Sequence, residues 1–138
     1  FYSLKQKNDF SVFEDDEVSL IFSNPNSSYE TDLNYLNSYL NGSPPSPSLF
    51  IYTLPNIIIG ELAILNKWYG ESCFFINDIF DPDFFIKQIK FHFIKGIKAC
   101  VCCWINTLHD KTELFMFIVT NEKGDLNSKK LIELYKLK

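Results

Sequence analysis

The chain has 138 residues, with 13 Lys and Arg against 17 Asp and Glu, a net charge of -4 and a pI near 5.1. Its 46% hydrophobic content, including 14 Phe, 7 Tyr and 2 Trp, specifies a folded interior, and the length suits one core, so residues 1–138 are expected to form a single domain. Scattered cations in an acidic chain argue against nucleic-acid binding. No apolar run is long enough to span a bilayer, since Phe50 to Ile64 is interrupted by Pro55, Asn56, Gly60 and Glu61.

In chain order, Phe1 to Asp16 shows mixed charge without a clean period and reads as a weak helix or an arm; no signal-peptide pattern is visible in it. Val18 to Phe22 is the first predicted strand. The polar cluster Ser23 to Ser28 is a turn, and Ser27 with Glu30 has the spacing of a capping box. Leu33, Leu36 and Leu40 recur at helical spacing, with Gly42 placed to end that helix in a left-handed conformation. Pro44, Pro45 and Pro47 make a stiff loop leading into Phe50 to Leu54. Asn56 to Asn66 is ambiguous: Ile57-Ile58-Ile59 favours a strand, whereas Ile58, Leu62 and Leu65 share one helical face.

Cys73 to Ile76 reads as a buried strand. Asp81-Pro82-Asp83 supplies an N-cap, a first-turn proline and an acid, and Gly96 closes the segment, so Pro82 to Lys95 is the best-marked helix, with Phe85, Ile89 and Phe93 facing inward. Ala99 to Ile105 is apolar on both faces, as in the middle of a covered sheet. Leu114 to Thr120 is a further strand, and alternation with a short polar link predicts Lys130 to Leu137 as its hairpin partner. This order of elements predicts a layered α/β domain.

Three of the four cysteines, Cys100, Cys102 and Cys103, crowd one apolar segment, and Cys73 stands apart. No His lies close in sequence, so the spacing does not match paired zinc ligands on two loops, and no metal or other cofactor is expected. Free thiols acting as small apolar residues fit a reducing cytoplasm.

The stretch Ser46-Pro47-Ser48-Leu49-Phe50, continued by Pro55-Asn56 and then Gly60-Glu61-Leu62-Ala63-Ile64, resembles a segment of the β-ketoacyl synthases. There S-P-x-x-F is followed by P-N or H-N and by G-x-x-(A/S)-I. Gly70-Glu71-Ser72 is similar to the G-P-S turn of that family, and Pro82 to Ile105 to the helix and strand after its nucleophile. The resemblance covers roughly residues 18 to 120. It implies a thiolase-like half-domain, a mixed sheet flanked by helices with a C-terminal β-hairpin, and it favours helix for Asn56 to Asn66. By the same resemblance Asn56 and Gly60 are structural, the glycine letting a helix press on a neighbouring backbone.

The departures bear on chemistry. Ketosynthases place a nucleophilic cysteine, within T-A-C, nine residues after the glycine of G-P-S; counting from Gly70 reaches Asn77-Asp78-Ile79, and Ile79 cannot form a thioester. The family's assisting histidines, or histidine and asparagine, come from a second half that has no counterpart in these residues. Among substitutes, Cys73 has no basic residue near it in sequence to lower its pKa. His92 reads as a packed helix residue, His109 with Asp110 as a solvated turn, and Asp81 as a cap beside Asp78. Glu14-Asp15-Asp16-Glu17 reads as a solvated loop, with contact to a basic partner as the alternative.

In the family, the strand before the nucleophile pairs antiparallel with its twin across a two-fold axis. By resemblance that strand is Cys73, Phe74, Phe75, Ile76 and Asn77, so a homodimer, or a heterodimer with a ketosynthase, is expected. The implied function is a noncatalytic accessory subunit in fatty-acid, polyketide or aryl-polyene-type biosynthesis, like the short ketosynthase-like proteins that lack the cysteine. A module binding an acyl chain or an acyl-carrier protein is the alternative; an acyl-transfer enzyme using Asp78, Cys73 or His109 is a third.

Overall fold

The central strand β1, Val18–Asn24, is buried at every position. Successive side chains of a strand point to opposite faces, so β1 must have a core on each side. Val18, Leu20 and Phe22 pack with Ile59, Trp68, Val101 and Cys103 on one face, while Ile21 packs with Phe85, Ile89, Cys102 and Phe117 on the other. The structure, a computed structural model, describes residues 9–40, 42–109, 111–122 and 126–137.

Among the described residues four strands form one mixed sheet in the order β2-β1-β3-β4. β1 runs parallel to β2 (Ser72–Ile76) and to β3 (Ala99–Leu108), and β4 (Lys111–Thr120) is antiparallel to β3. From β1 to β2 the chain passes through α1 (Tyr29–Leu40), α2 (Pro47–Ile51) and α3 (Ile57–Asn66), with Ile59 of α3 seated on the first face. From β2 to β3 it crosses the opposite face through α4 (Pro82–Ile94), and α5 (Ser128–Lys136) joins that layer through Leu131. The mixed sheet between helices is the expected α/β class.

α4 starts where the sequence placed it, with Asp81 Oδ1 accepting from Asp83 N at 2.9 Å and Phe84 N at 3.1 Å. Gly96 and Gly42 both take positive φ, 99° and 82°. Asn56–Asn66 is helical, which its β-branched run alone did not decide. Phe10 and Phe13 pack on the α3 face, Phe10 lying 4.8 Å from the Trp68 ring; Phe1 to Asn8, the rest of the expected arm, lie outside the described residues.

Four expectations are corrected. Lys130 to Leu137 is no strand: Ser128–Lys136 is a helix capped by Asn127 Oδ1, which accepts from Lys130 N at 2.9 Å. Leu131 and Tyr135, one helical turn apart, cover Phe80 and Phe115, with Tyr135 stacked on Phe80 at 4.4 Å. The hairpin is instead β3 with β4. The Ser27–Glu30 capping box does not form, because Ser27 adopts φ 53° inside a turn clasped by Asn24: Ser27 N donates to Asn24 Oδ1 at 2.8 Å and Asn24 Nδ2 to Ser27 O at 2.7 Å. Glu30 accepts from His109 N at 2.9 Å. The short helix α2, capped by Ser46, was unforeseen in the proline-rich loop.

The fourth concerns glycine. A Cβ on Gly60 would meet nothing within 4 Å, so no neighbouring backbone presses there. The close approach is at Gly70, where a Cβ would overlap Val18 O and stand 2.9 Å from Asp16 O. Gly70→Ala is therefore expected to cost about 3 kcal/mol. Gly60→Ala should gain roughly 0.5–1 kcal/mol from lower unfolded-state entropy and better helix propensity. Urea denaturation of both variants checks this; equal effects would contradict the assignment.

Candidate functional site

The corner between β2 and α4 is where the resemblance leads one to expect the nucleophile turn. Asn77 fixes its start to β1, its N–H donating to Asn24 O at 2.9 Å and its Nδ2 to Ser23 Oγ at 2.9 Å. Phe80 is buried and Asp81 is spent on capping α4, so the turn projects Asp78 and Ile79 outward, the latter 72% exposed. An aliphatic side chain at this apex has no electron pair to offer a thioester.

Beneath α4, at the other end of β2, lies a polar cluster that sequence reasoning missed. Ser19 Oγ donates to Glu71 O and contacts His92 Nδ1 at 2.6 Å, and both Ser19 and His92 are buried. A carbonyl only accepts, so the single Ser19 proton goes to Glu71 and the Ser19–His92 bond uses the Nδ1 proton. Burial pushes the imidazole below its ordinary value, favouring the neutral form, although the Glu71 carboxylate pulls the other way. The signal was present in the sequence: His92 continues the inward stripe of Phe85 and Ile89 at helical spacing.

Cys73 is half-buried on β2 beside this cluster. A Cys73 Sγ, a Glu71 carboxylate oxygen and a His92 ring nitrogen all lie within 4.8 Å of one another. Lys95 reaches Glu71 Oε2 at 2.8 Å, which holds the Glu71 carboxyl below its usual range. Folding thus brings to Cys73 the basic neighbour its sequence surroundings lacked. Burial and the Glu71 charge nevertheless push the thiol up, outweighing Lys95. Burial pushes Cys100 and Cys103 up to about 12 and raises Cys102 well above its ordinary value.

The other singled-out residues are dispersed. Ser46 and Pro47 start α2, and Phe50 lies 5.6 Å from the Tyr35 ring. Pro55 precedes α3, Asn56 is its N-cap residue without a side-chain cap bond, and Ser72 opens β2. His109 sits exposed at the β3–β4 turn with φ 49°, and Asp110 lies outside the described residues. The acidic run is built into the fold: Glu17 pairs with Lys98, and Asp15 O accepts from Tyr69 N at 2.6 Å. A cleft of about 300 Å³ opens where β1 and β3 end, lined by Asn24, Tyr29, Tyr52, Ile58, Glu61, Phe74 and Ile105. In doubly wound sheets a crevice at the carboxyl ends of the strands is the usual place for a ligand.

These features define a doubly wound α/β domain with a strand-to-helix corner next to an edge strand. No protein-family model matches the chain, and no curated protein does. Among solved structures it is similar to a chain of the ketosynthase ApeO in complex with its chain length factor ApeC, from Xenorhabdus doucetiae, with a TM-score of 0.59 and 17% identity. The match covers 77% of this chain and 42% of that one, so this chain spans less than half the length of its neighbour. The fold is therefore the thiolase-like, ketosynthase-type α/β fold. Among the described residues no helix is long and apolar enough to cross a membrane.

The thiol environments set a checkable order of reactivity. Iodoacetamide at pH 8 is expected to add one group to the native chain, at Cys73, more slowly than to the same thiol in urea, and four groups once unfolded. Intact and peptide mass spectrometry read both numbers.

Proposed function

We propose that this chain is a noncatalytic, ketosynthase-like accessory subunit of fatty-acid, polyketide or aryl-polyene-type assembly, pairing edge to edge through β2 with a second copy or a full synthase. One observation carries the reading: β2 has a neighbour on one side only among the described residues, and the strand runs straight into a corner headed by Ile79. Glu71 O and Asn77 N both bond to β1, and backbone groups of a strand alternate in direction, so Ser72, Phe74 and Ile76 turn their N–H and C=O away from the sheet. Apolar side chains flank that row. Ile76 is 57% exposed and Ile79 follows it, while half-exposed Phe91 lies under Lys95, which itself pairs with Glu71 at the start of β2. An unprotected apolar edge of this kind recruits another strand. Its likeness to a chain from a ketosynthase–chain length factor complex supports a partner of the same fold. Cytoplasmic residence is part of the proposal, resting on the four free thiols.

Light scattering on the purified chain and co-purification from its native host test the pairing. The expected result is a dimer or a complex with a synthase. A monomer that recovers neither synthase nor carrier protein would sink the proposal. Ile76→Lys should abolish pairing through like charges at the seam while changing stability by less than about 0.5 kcal/mol, because the residue is exposed.

Incubation with acyl-thioesters followed by intact mass should leave the chain unmodified. A covalent acyl adduct on Cys73 would make it an enzyme. A second reading, a module that holds an acyl chain or a carrier-protein arm, is supported by the largely apolar cleft at the strand ends. Thermal stabilisation by acyl-carrier protein, without any synthase present, would favour it over the first.

A further inference from the structure

The cluster beneath α4 has a chemistry that neither strand pairing nor acyl binding uses. Cys73 of β2 and Glu71, the residue just before the strand, lie two residues apart on one face, and His92 comes down on them from α4. Because Ser19 gives its proton to Glu71 O, the His92 Nδ1–H is tied to Ser19 Oγ, and the lone pair of the neutral ring is left on Nε2. A histidine with one N–H anchored by an oxygen and the other nitrogen bare is the arrangement of a metal ligand whose tautomer and plane are set in advance. Lys95 occupies Glu71 Oε2, and the second carboxylate oxygen remains for a further contact.

We propose that Glu71, Cys73 and His92 form a binding site for a zinc-type divalent cation, with Ser19 as the positioning residue that fixes the imidazole. One nitrogen, one sulfur and one oxygen donor make a borderline set that suits zinc and cobalt better than magnesium or calcium. Around a tetrahedral zinc, donor atoms stand about 3.5 Å apart, given bonds of about 2.0–2.3 Å. The Cys73 Sγ, a Glu71 carboxylate oxygen and one ring nitrogen of His92 lie within 4.8 Å of one another. The Glu71 side chain, 41% exposed, is the donor with most room to adjust. Binding transfers the Cys73 thiol proton to solvent and puts the thiolate on the metal, with water completing the fourth position. Cys100, Cys102 and Cys103 are fully buried within β3 and offer no competing thiol.

The test uses the full chain, stripped with a chelator and titrated with cobalt(II) chloride alone. The expected result is a thiolate-to-cobalt charge-transfer absorption in the near ultraviolet that saturates at one equivalent and disappears on adding zinc. Cys73→Ser should abolish the band while the far-ultraviolet circular dichroism stays unchanged. Ser19→Ala should keep the band at saturation but weaken cobalt binding about 10-fold or more, the usual effect of losing an orienting hydrogen bond. Absence of the band in excess cobalt, or a band of full strength in Cys73→Ser, would overturn the site. Unchanged affinity in Ser19→Ala would remove the positioning role.

Discussion

β1 has a strand on each side and a helical layer on each face, and the rest of the molecule is arranged to complete that enclosure. Full enclosure of an apolar strand is inexpensive, but β1 also carries Ser19 and Ser23, both buried. Each buried hydroxyl without a partner would cost about 1–3 kcal/mol, so the fold has to supply two partners. Asn77 answers Ser23, and Glu71 O with His92 answers Ser19. Those three bonds tie the residues flanking both ends of β2, and the last turn of α4, to the central strand. The corner and the polar cluster are thus positioned by the same requirement, satisfaction of the hydroxyls in β1.

Sharing of one short strand by two features shapes the chemistry available. The even positions of β2 direct their backbone groups outward, to a prospective partner, while Glu71 and Cys73 turn their side chains onto the α4 face. Desolvation there keeps Cys73 a thiol and His92 neutral. Lys95 is close enough to act on both, but its charge is spent mainly on Glu71. This is the reverse of an activated nucleophile, which needs exposure and uncompensated positive potential. A carboxylate, an imidazole lone pair and a thiol that gives up its proton on binding are better suited to accepting a cation than to attacking a carbonyl.

Likeness to a ketosynthase-type chain at 17% identity shows how little of the sequence the fold requires. Order and spacing of elements persist while the motif residues take on local duties. Ser46 caps a helix, Asn56 merely begins one, and Gly60 faces open space. Gly70 alone among these has a steric reason to be glycine, and that reason is the backbone of Asp16 and Val18, distant in sequence until β2 is laid beside β1.

Local signals determined much on their own. Asp81-Pro82-Asp83 fixed the start of α4, the run Ala99 to Ile105 announced a strand covered on both faces, and Gly42 and Gly96 marked left-handed stops, because caps, φ limits and burial patterns act over a few residues. Tertiary structure decided the rest. Whether Lys130 to Leu137 becomes helix or strand depended on Phe80 and Phe115 waiting to receive Leu131 and Tyr135, and the triple isoleucine of α3 followed the demand of one sheet face for a helix. The Glu71–Cys73–His92 cluster was invisible for the same reason: its members come from an edge strand, its flanking residue and a helix, and only the packing of α4 over β1 through Phe85 and Ile89 puts them within reach of one another.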